Sequence, residues 1–145
     1  MSDSDKDKEQ GTRKVTGLVI VTHGLLAEGL RAAAEMITGP QPSLETVAMG
    51  PAADVDALAD EVQTAVARAG GPGNALILVD MFGGSPANAT AYVALAGTPA
   101  VCGVNLPMLL EVLMNRERMG AEELVGVALR AGEQGVVNLI EELRS

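Results

Sequence analysis

The chain has 145 residues, a formal net charge of −9 and 48% apolar residues, with Phe82 and Tyr92 as its only aromatic side chains. That length suits one domain with an aliphatic core, and the acidic balance argues against nucleic acid or an anionic membrane as a partner. A single cysteine allows no internal disulfide and fits a reducing cytoplasm.

Residues 1–14 are polar, with Asp3, Asp5, Asp7 and Glu9 set against Lys6, Lys8, Arg13 and Lys14. They sum to zero and read as a disordered leader, neither a signal peptide nor a membrane anchor. The whole negative charge therefore sits on residues 15–145, the expected domain. No stretch approaches the roughly 18 consecutive apolar residues of a membrane span.

The pattern then alternates. Gly17–Thr22 is a β-branched run, a buried strand. Leu25–Ile37 has apolar residues at helical spacing and stops at Gly39-Pro40. Leu44–Met49 reads as a second strand, less apolar and so nearer an edge. Asp54–Ala69 is an amphipathic helix, with Val55, Leu58, Val62 and Val66 along one face. Ala75–Met81 is the strongest strand, apolar until Asp80. Ser85 reads as an N-cap with Pro86 at the first helical position, opening a helix to about Ala96. Ala100–Val104 is a fourth strand, with Cys102 expected as a small core residue. Pro107 opens a helix to about Arg118, Leu124–Leu129 reads as a short strand, and Glu133–Leu143 as a final helix. Strands separated by helices along the whole length imply an α/β fold. It is expected to be an open, mostly parallel sheet of four to five strands with helices on both faces.

Three segments fall at strand C-terminal ends: Thr22-His23-Gly24, Asp80-Met81-Phe82-Gly83-Gly84-Ser85-Pro86 and Gly103-Val104-Asn105-Leu106-Pro107. In a parallel sheet these ends share one edge, where open α/β folds place ligands. His23 is the only histidine. A neutral imidazole there can accept a phosphoryl group if a carboxylate fixes its ring and tautomer. Asp80 is the candidate, because a carboxylate ending an apolar strand needs a partner; a loop or capping role is its plainer reading. Gly83-Gly84-Ser85 leads into a helix and suits an anion held by backbone amides. The same string also serves as an ordinary turn. It matches neither a Walker A motif nor a dinucleotide fingerprint. Asn105 suits a turn as well as an orienting role.

Together these strings resemble the mannose-type enzyme IIA component of the bacterial phosphoenolpyruvate-dependent sugar phosphotransferase system. The resemblance rests on Val-Thr-His-Gly at 21–24, Leu-Val-Asp-Met-Phe-Gly-Gly-Ser-Pro-Ala-Asn at 78–88 and Gly-Val-Asn-Leu-Pro-Met-Leu-Leu-Glu at 103–111. It implies a cytoplasmic phosphoryl carrier in sugar uptake. His23 would accept the phosphoryl group from the phosphorylated histidine carrier protein HPr and pass it to a IIB component. Asp80 would bond the unphosphorylated ring nitrogen, and Gly24, Gly84 and Ser85 would help hold the phosphoryl oxygens. The resemblance also implies a homodimer, paired through a C-terminal strand, with no metal, no nucleotide cofactor and no membrane insertion. Phe82 stands where some members have tryptophan. The chain ends at Ser145 without a fused IIB domain, so the acceptor is expected to be a separate protein. Net acidity fits docking of a basic carrier surface, and fits solubility equally well.

A regulatory module whose phosphorylation reports nutrient state would use the same His23 chemistry. A small hydrolase is disfavoured, because the chain has no Gly-x-Ser-x-Gly elbow and no Cys/His cluster.

Overall fold

The computed structural model describes residues 14–145. The expected leader therefore lies, apart from Lys14, outside the described residues. Four strands, β1 (Gly17–His23), β2 (Leu44–Met49), β3 (Ala75–Val79) and β4 (Ala100–Cys102), form one parallel sheet in the order β2-β1-β3-β4. Six helices accompany them among the described residues: α1 (Leu26–Thr38), α2 (Val55–Ala69), α3 (Ser85–Leu95), α4 (Leu106–Asn115), α5 (Ala121–Gln134) and α6 (Leu139–Arg144). The expected open α/β sheet is present, with four strands.

The period of two along each strand divides the core between two faces. Leu18, Ile20, Leu76, Leu78 and Val101 point to one face, against Ala27 and Ala34 of α1, Leu109 and Val112 of α4, and Leu124 and Ala128 of α5. Val19, Val21, Ile77 and Val79 point to the other, against Leu58, Val62 and Val66 of α2 and Ala89 and Val93 of α3. Close approach requires a glycine at the start of β1. A Cβ on Gly17 would lie 1.8 Å from the Ala69 carbonyl oxygen at the end of α2.

The N-terminal edge of the sheet is tied by Arg116, whose side chain is fully buried. Its guanidinium donates to the carbonyls of Thr16 (3.3 Å) and Ser43 (3.1 Å), to the Pro42 carbonyl and to Gln41 Oε1 (3.0 Å). Burial lowers the pKa of this group from its ordinary value, and Glu117 opposes that shift.

Several expectations are corrected. Leu124–Leu129 is not a strand; it lies within α5. The residues buried there are Ala121, Leu124, Ala128 and Gly132, spaced by three or four as one face of a helix requires. The expected helix at Glu133–Leu143 is broken, since α5 ends at Gln134 and Asn138 caps a new short helix. Cys102 is exposed, because β4 is a three-residue edge strand and the thiol stands at its open end. Ser85 is the first residue of α3, with Gly84 as the N-cap and no side-chain cap. Leu44–Met49 does form an edge strand, as its lower apolarity suggested.

Candidate functional site

Chain direction creates the site. From β1 the chain moves to β2 on one side, while β3 lies on the other and leads to β4. The loops leaving β1 and β3 therefore part to opposite faces, toward α1 and α3, and open a crevice between adjacent strands. His23 ends β1 on one lip and Asp80 follows β3 on the other.

The two residues are bonded directly. His23 Nδ1 lies 2.7 Å from Asp80 Oδ2, and the His23 main-chain N–H donates to the same oxygen at 3.0 Å. The Met81 N–H donates to Asp80 Oδ1 at 3.0 Å. A carboxylate accepting two amide bonds is an acceptor toward the ring as well. Nδ1 therefore carries the proton and Nε2 presents its lone pair outward. The Asp80 side chain is 10% exposed and that of His23 is 44% exposed, so the carboxylate is sheltered and the imidazole is open.

The turn carrying His23 is held at three further points. Thr22, fully buried, accepts the Ala27 N–H on Oγ1 at 2.8 Å, which serves the start of α1 where Leu25, the N-cap residue, makes no side-chain cap bond. The Gly24 N–H donates to the Met49 carbonyl at 2.9 Å, which joins the turn to β2. Gly24 thus supplies the bend, with its own amide committed to that bond. Asp80 N donates to the Val21 carbonyl at 3.2 Å and continues the ladder up to the carboxylate.

Gly84 closes the other side. Its φ of +94° belongs to the region that favours glycine, and a Cβ there would stand 3.5 Å from both Nε2 and Cε1 of His23. The backbone entering α3 therefore faces the free ring nitrogen. Helix α3 begins at that point, and the N–H groups of its first turn have no intrahelical acceptor. Pro86 contributes none, while Ser85 and Ala87 do. Such an N-terminus favours an anion.

The third expected segment is near but differently engaged. The N–H groups of Gly103 and Val104 both bond the Val79 carbonyl, at 2.8 and 3.0 Å, fixing this loop to β3. Asn105 caps α4 through Met108 N (3.0 Å) and donates to the Gly132 carbonyl (3.0 Å). It holds α4 to α5. The Cys102 thiol has its pKa raised by partial burial and then by the charge of Asp80.

Two features escaped sequence reasoning. One is Thr22, whose place at the end of a β-branched strand disguised a helix cap five residues ahead. The other is an apolar collar: Leu25, Leu26, Met81 and Phe82, with Phe82 89% exposed on the loop between Asp80 and Gly84. No group of three or more His, Cys, Asp or Glu side chains able to hold a metal occurs among the described residues. No helix among them is long and apolar enough to cross a membrane.

Comparison with known proteins bears on the family and the fold. A family model described as PTS system fructose IIA component matches residues 17–129. A sorbose-specific EIIA component of the PTS from Lacticaseibacillus casei is 32% identical over 128 residues, covering 87% of this chain and 92% of that protein. The mannose-specific EIIAB component of the PTS from Escherichia coli K12 is 35% identical over 122 residues, or 82% of this chain. The match spans only 38% of that relative's own length. The crystal structure of phosphotransferase system component EIIA from Streptococcus agalactiae superposes with a TM-score of 0.79 at 23% identity, covering 86% of this chain and 98% of that one. The sheet and its helices are thus a fold shared with such proteins.

Proposed function

The chain belongs to the mannose-type IIA family of the sugar phosphotransferase system, and from that premise we propose that it carries a phosphoryl group on Nε2 of His23. The donor is phosphorylated HPr and the acceptor is a IIB component, in a cytoplasmic relay serving sugar uptake. The observation that carries this reading is the 2.7 Å contact of Nδ1 with Asp80, which turns the opposite nitrogen toward Gly84 and the start of α3.

In the proposed step the Nε2 lone pair attacks phosphorus in line. The donor's P–N bond breaks, and its electron pair returns to the donor ring. The proton stays on Nδ1, hydrogen-bonded to Asp80, so the ring becomes an imidazolium beside a carboxylate, as in hydrolase triads. Amides of the Gly84–Ser85 turn and the Ser85 hydroxyl receive the equatorial oxygens. The reaction needs no group beyond the two proteins and is governed by positioning.

The collar supports a protein as donor, because Leu25, Met81 and Phe82 stand out from an open surface around the ring. The proposal extends to a homodimer. Residues 133–145 are all exposed, and Val136, Val137, Leu139, Ile140 and Leu143 give this C-terminal arm an apolar character that the described residues leave half or more uncovered. An apolar arm of that kind gains most by packing on a second copy.

The test is mass spectrometry after incubation with phosphoenolpyruvate, enzyme I and HPr. The expected result is an acid-labile gain of one phosphoryl group, absent in His23→Ala and much reduced in Asp80→Ala. No gain with active donors would overturn the carrier reading.

A further inference from the structure

The four loops around His23 contain no lysine or arginine. They are residues 24–25, 50–54, 80–84 and 103–105, and their only charged side chains are Asp54 and Asp80. Asp54 is engaged as the cap of α2, accepting the Ala57 N–H at 3.3 Å. The described cations stand on other elements. Lys14 bonds the Gly70 carbonyl and Arg116 the Thr16 carbonyl, both at the opposite edge of the sheet. Arg31 pairs with Glu35 further along α1, and Arg130 lines a groove between α4 and α5.

Sites built to retain a phosphoryl group commonly use arginine or lysine, whose charge-assisted bonds are the strong ones. Here the donors facing Nε2 are neutral: amides of the Gly84–Ser85 turn, the first turn of α3 and a serine hydroxyl. Charge counting sharpens the point. When the P–N bond of the donor breaks and the P–Nε2 bond forms, the Nδ1 proton remains and the site gains one negative charge. Asp80 already holds another 2.7 Å from the ring. Nothing on these four loops offsets the sum.

We propose that the absence of a cation on these loops keeps phospho-His23 poised for release, so that the site works as a relay and not as a sink. This rests on the carrier reading above. Its logic is thermodynamic: an interaction that favours the phosphorylated form raises acceptance from the donor and lowers delivery to the acceptor by the same factor. A site holding the group through neutral dipoles stays close to balance with both neighbours. Phe82 and Leu25 are where a cation could be added most directly. Both are exposed, by 89% and 80%, and each lies two residues from a residue that faces or forms the ring.

The experiment brings full-length wild-type protein, Phe82→Arg, Leu25→Arg, and the neutral Phe82→Gln and Leu25→Gln to equilibrium with HPr and phospho-HPr. Intact-mass spectrometry reads the ratio of phosphorylated to free protein. An altered docking surface changes how fast that ratio is reached and leaves its final value alone. The arginine variants are expected to raise the ratio about five- to tenfold, the worth of one charge-assisted contact at a partly exposed site. The glutamine variants are expected to stay within about twofold of wild type, and added salt should shrink the arginine effect. Arginine ratios equal to wild type at both positions would overturn the inference while leaving the carrier reading intact. A wild-type protein that takes no phosphoryl group would overturn the carrier reading, and this inference with it.

Discussion

Asp80 Oδ2 accepts both the main-chain N–H and the ring Nδ1–H of His23, so one carboxylate oxygen fixes the residue at its backbone and at its side chain. Replacement by asparagine keeps the shape but can present a donor toward Nδ1 and favour the wrong tautomer. Asp80→Asn is expected to slow phosphorylation of His23 by about 100-fold or more. Quenched-flow mass spectrometry would measure this, with circular dichroism to check the fold. A rate within about threefold of wild type would remove Asp80 from the mechanism.

Gly84 is confined by two independent facts, its φ of +94° and the 3.5 Å separation of a Cβ there from Nε2. Gly84→Ala should lose about 1–2 kcal/mol of stability from backbone strain. It should also lose phosphorylation more severely than that strain explains, because the methyl group takes phosphoryl space. Urea unfolding and the phosphorylation rate, measured on the same preparation, separate the two effects.

Cys102 offers a chemical probe of Asp80. Partial burial and the Asp80 charge raise the thiol pKa, so less thiolate is present at a given pH. Alkylation by iodoacetamide at pH 8 is expected to be slower than that of free cysteine, and faster in Asp80→Asn than in wild type. The difference should fade as pH rises above the thiol's pKa and both proteins become fully ionised. Equal rates in the two proteins at pH 8 would argue against electrostatic contact between residues 80 and 102.

Arg116 is buried with its donors engaged by carbonyls of the β1 and β2 approaches. Arg116→Ala takes a donor from each of those carbonyls, although Ser43 keeps the Leu18 N–H, and opens a cavity, at a cost of about 3 kcal/mol. Urea denaturation should show a lower midpoint with the slope nearly unchanged.

The C-terminal arm is testable by mass. Light scattering is expected to give twice the chain mass for the wild type, and about the chain mass once Leu139→Asp and Ile140→Asp are combined. A monomeric wild type would remove the dimer proposal and leave His23 chemistry untouched.

Much of this was legible in the residues, for identifiable reasons. β1 and β3 are apolar on both faces because helices cover both, so they announce themselves as continuous runs. His23 and Asp80 stand out as polar groups ending such runs. The misreadings occurred where local signals conflict. Val125 and Val127 within Leu124–Leu129 are β-branched and read as strand, and only the burial of Ala121, Leu124 and Ala128 together reveals the helical stripe. Cys102 carries an apolar context in sequence, whereas its exposure follows from β4 being a short edge strand, a fact of topology. Thr22 could not be read as a cap because its partner, Ala27, lies beyond a turn of unknown shape.

The pairing of β1 with β3 has a consequence for the newly made chain. His23 and Asp80 are 57 positions apart, and they meet only after β3 has docked beside β1. Until then the imidazole is an ordinary solvent-facing histidine with no fixed tautomer and no helix N-terminus before it. A nascent, nicked or partly unfolded molecule would therefore be a poor recipient, and phosphoryl groups would not be drained into damaged copies. On the carrier proposal, competence to be charged doubles as proof of correct assembly.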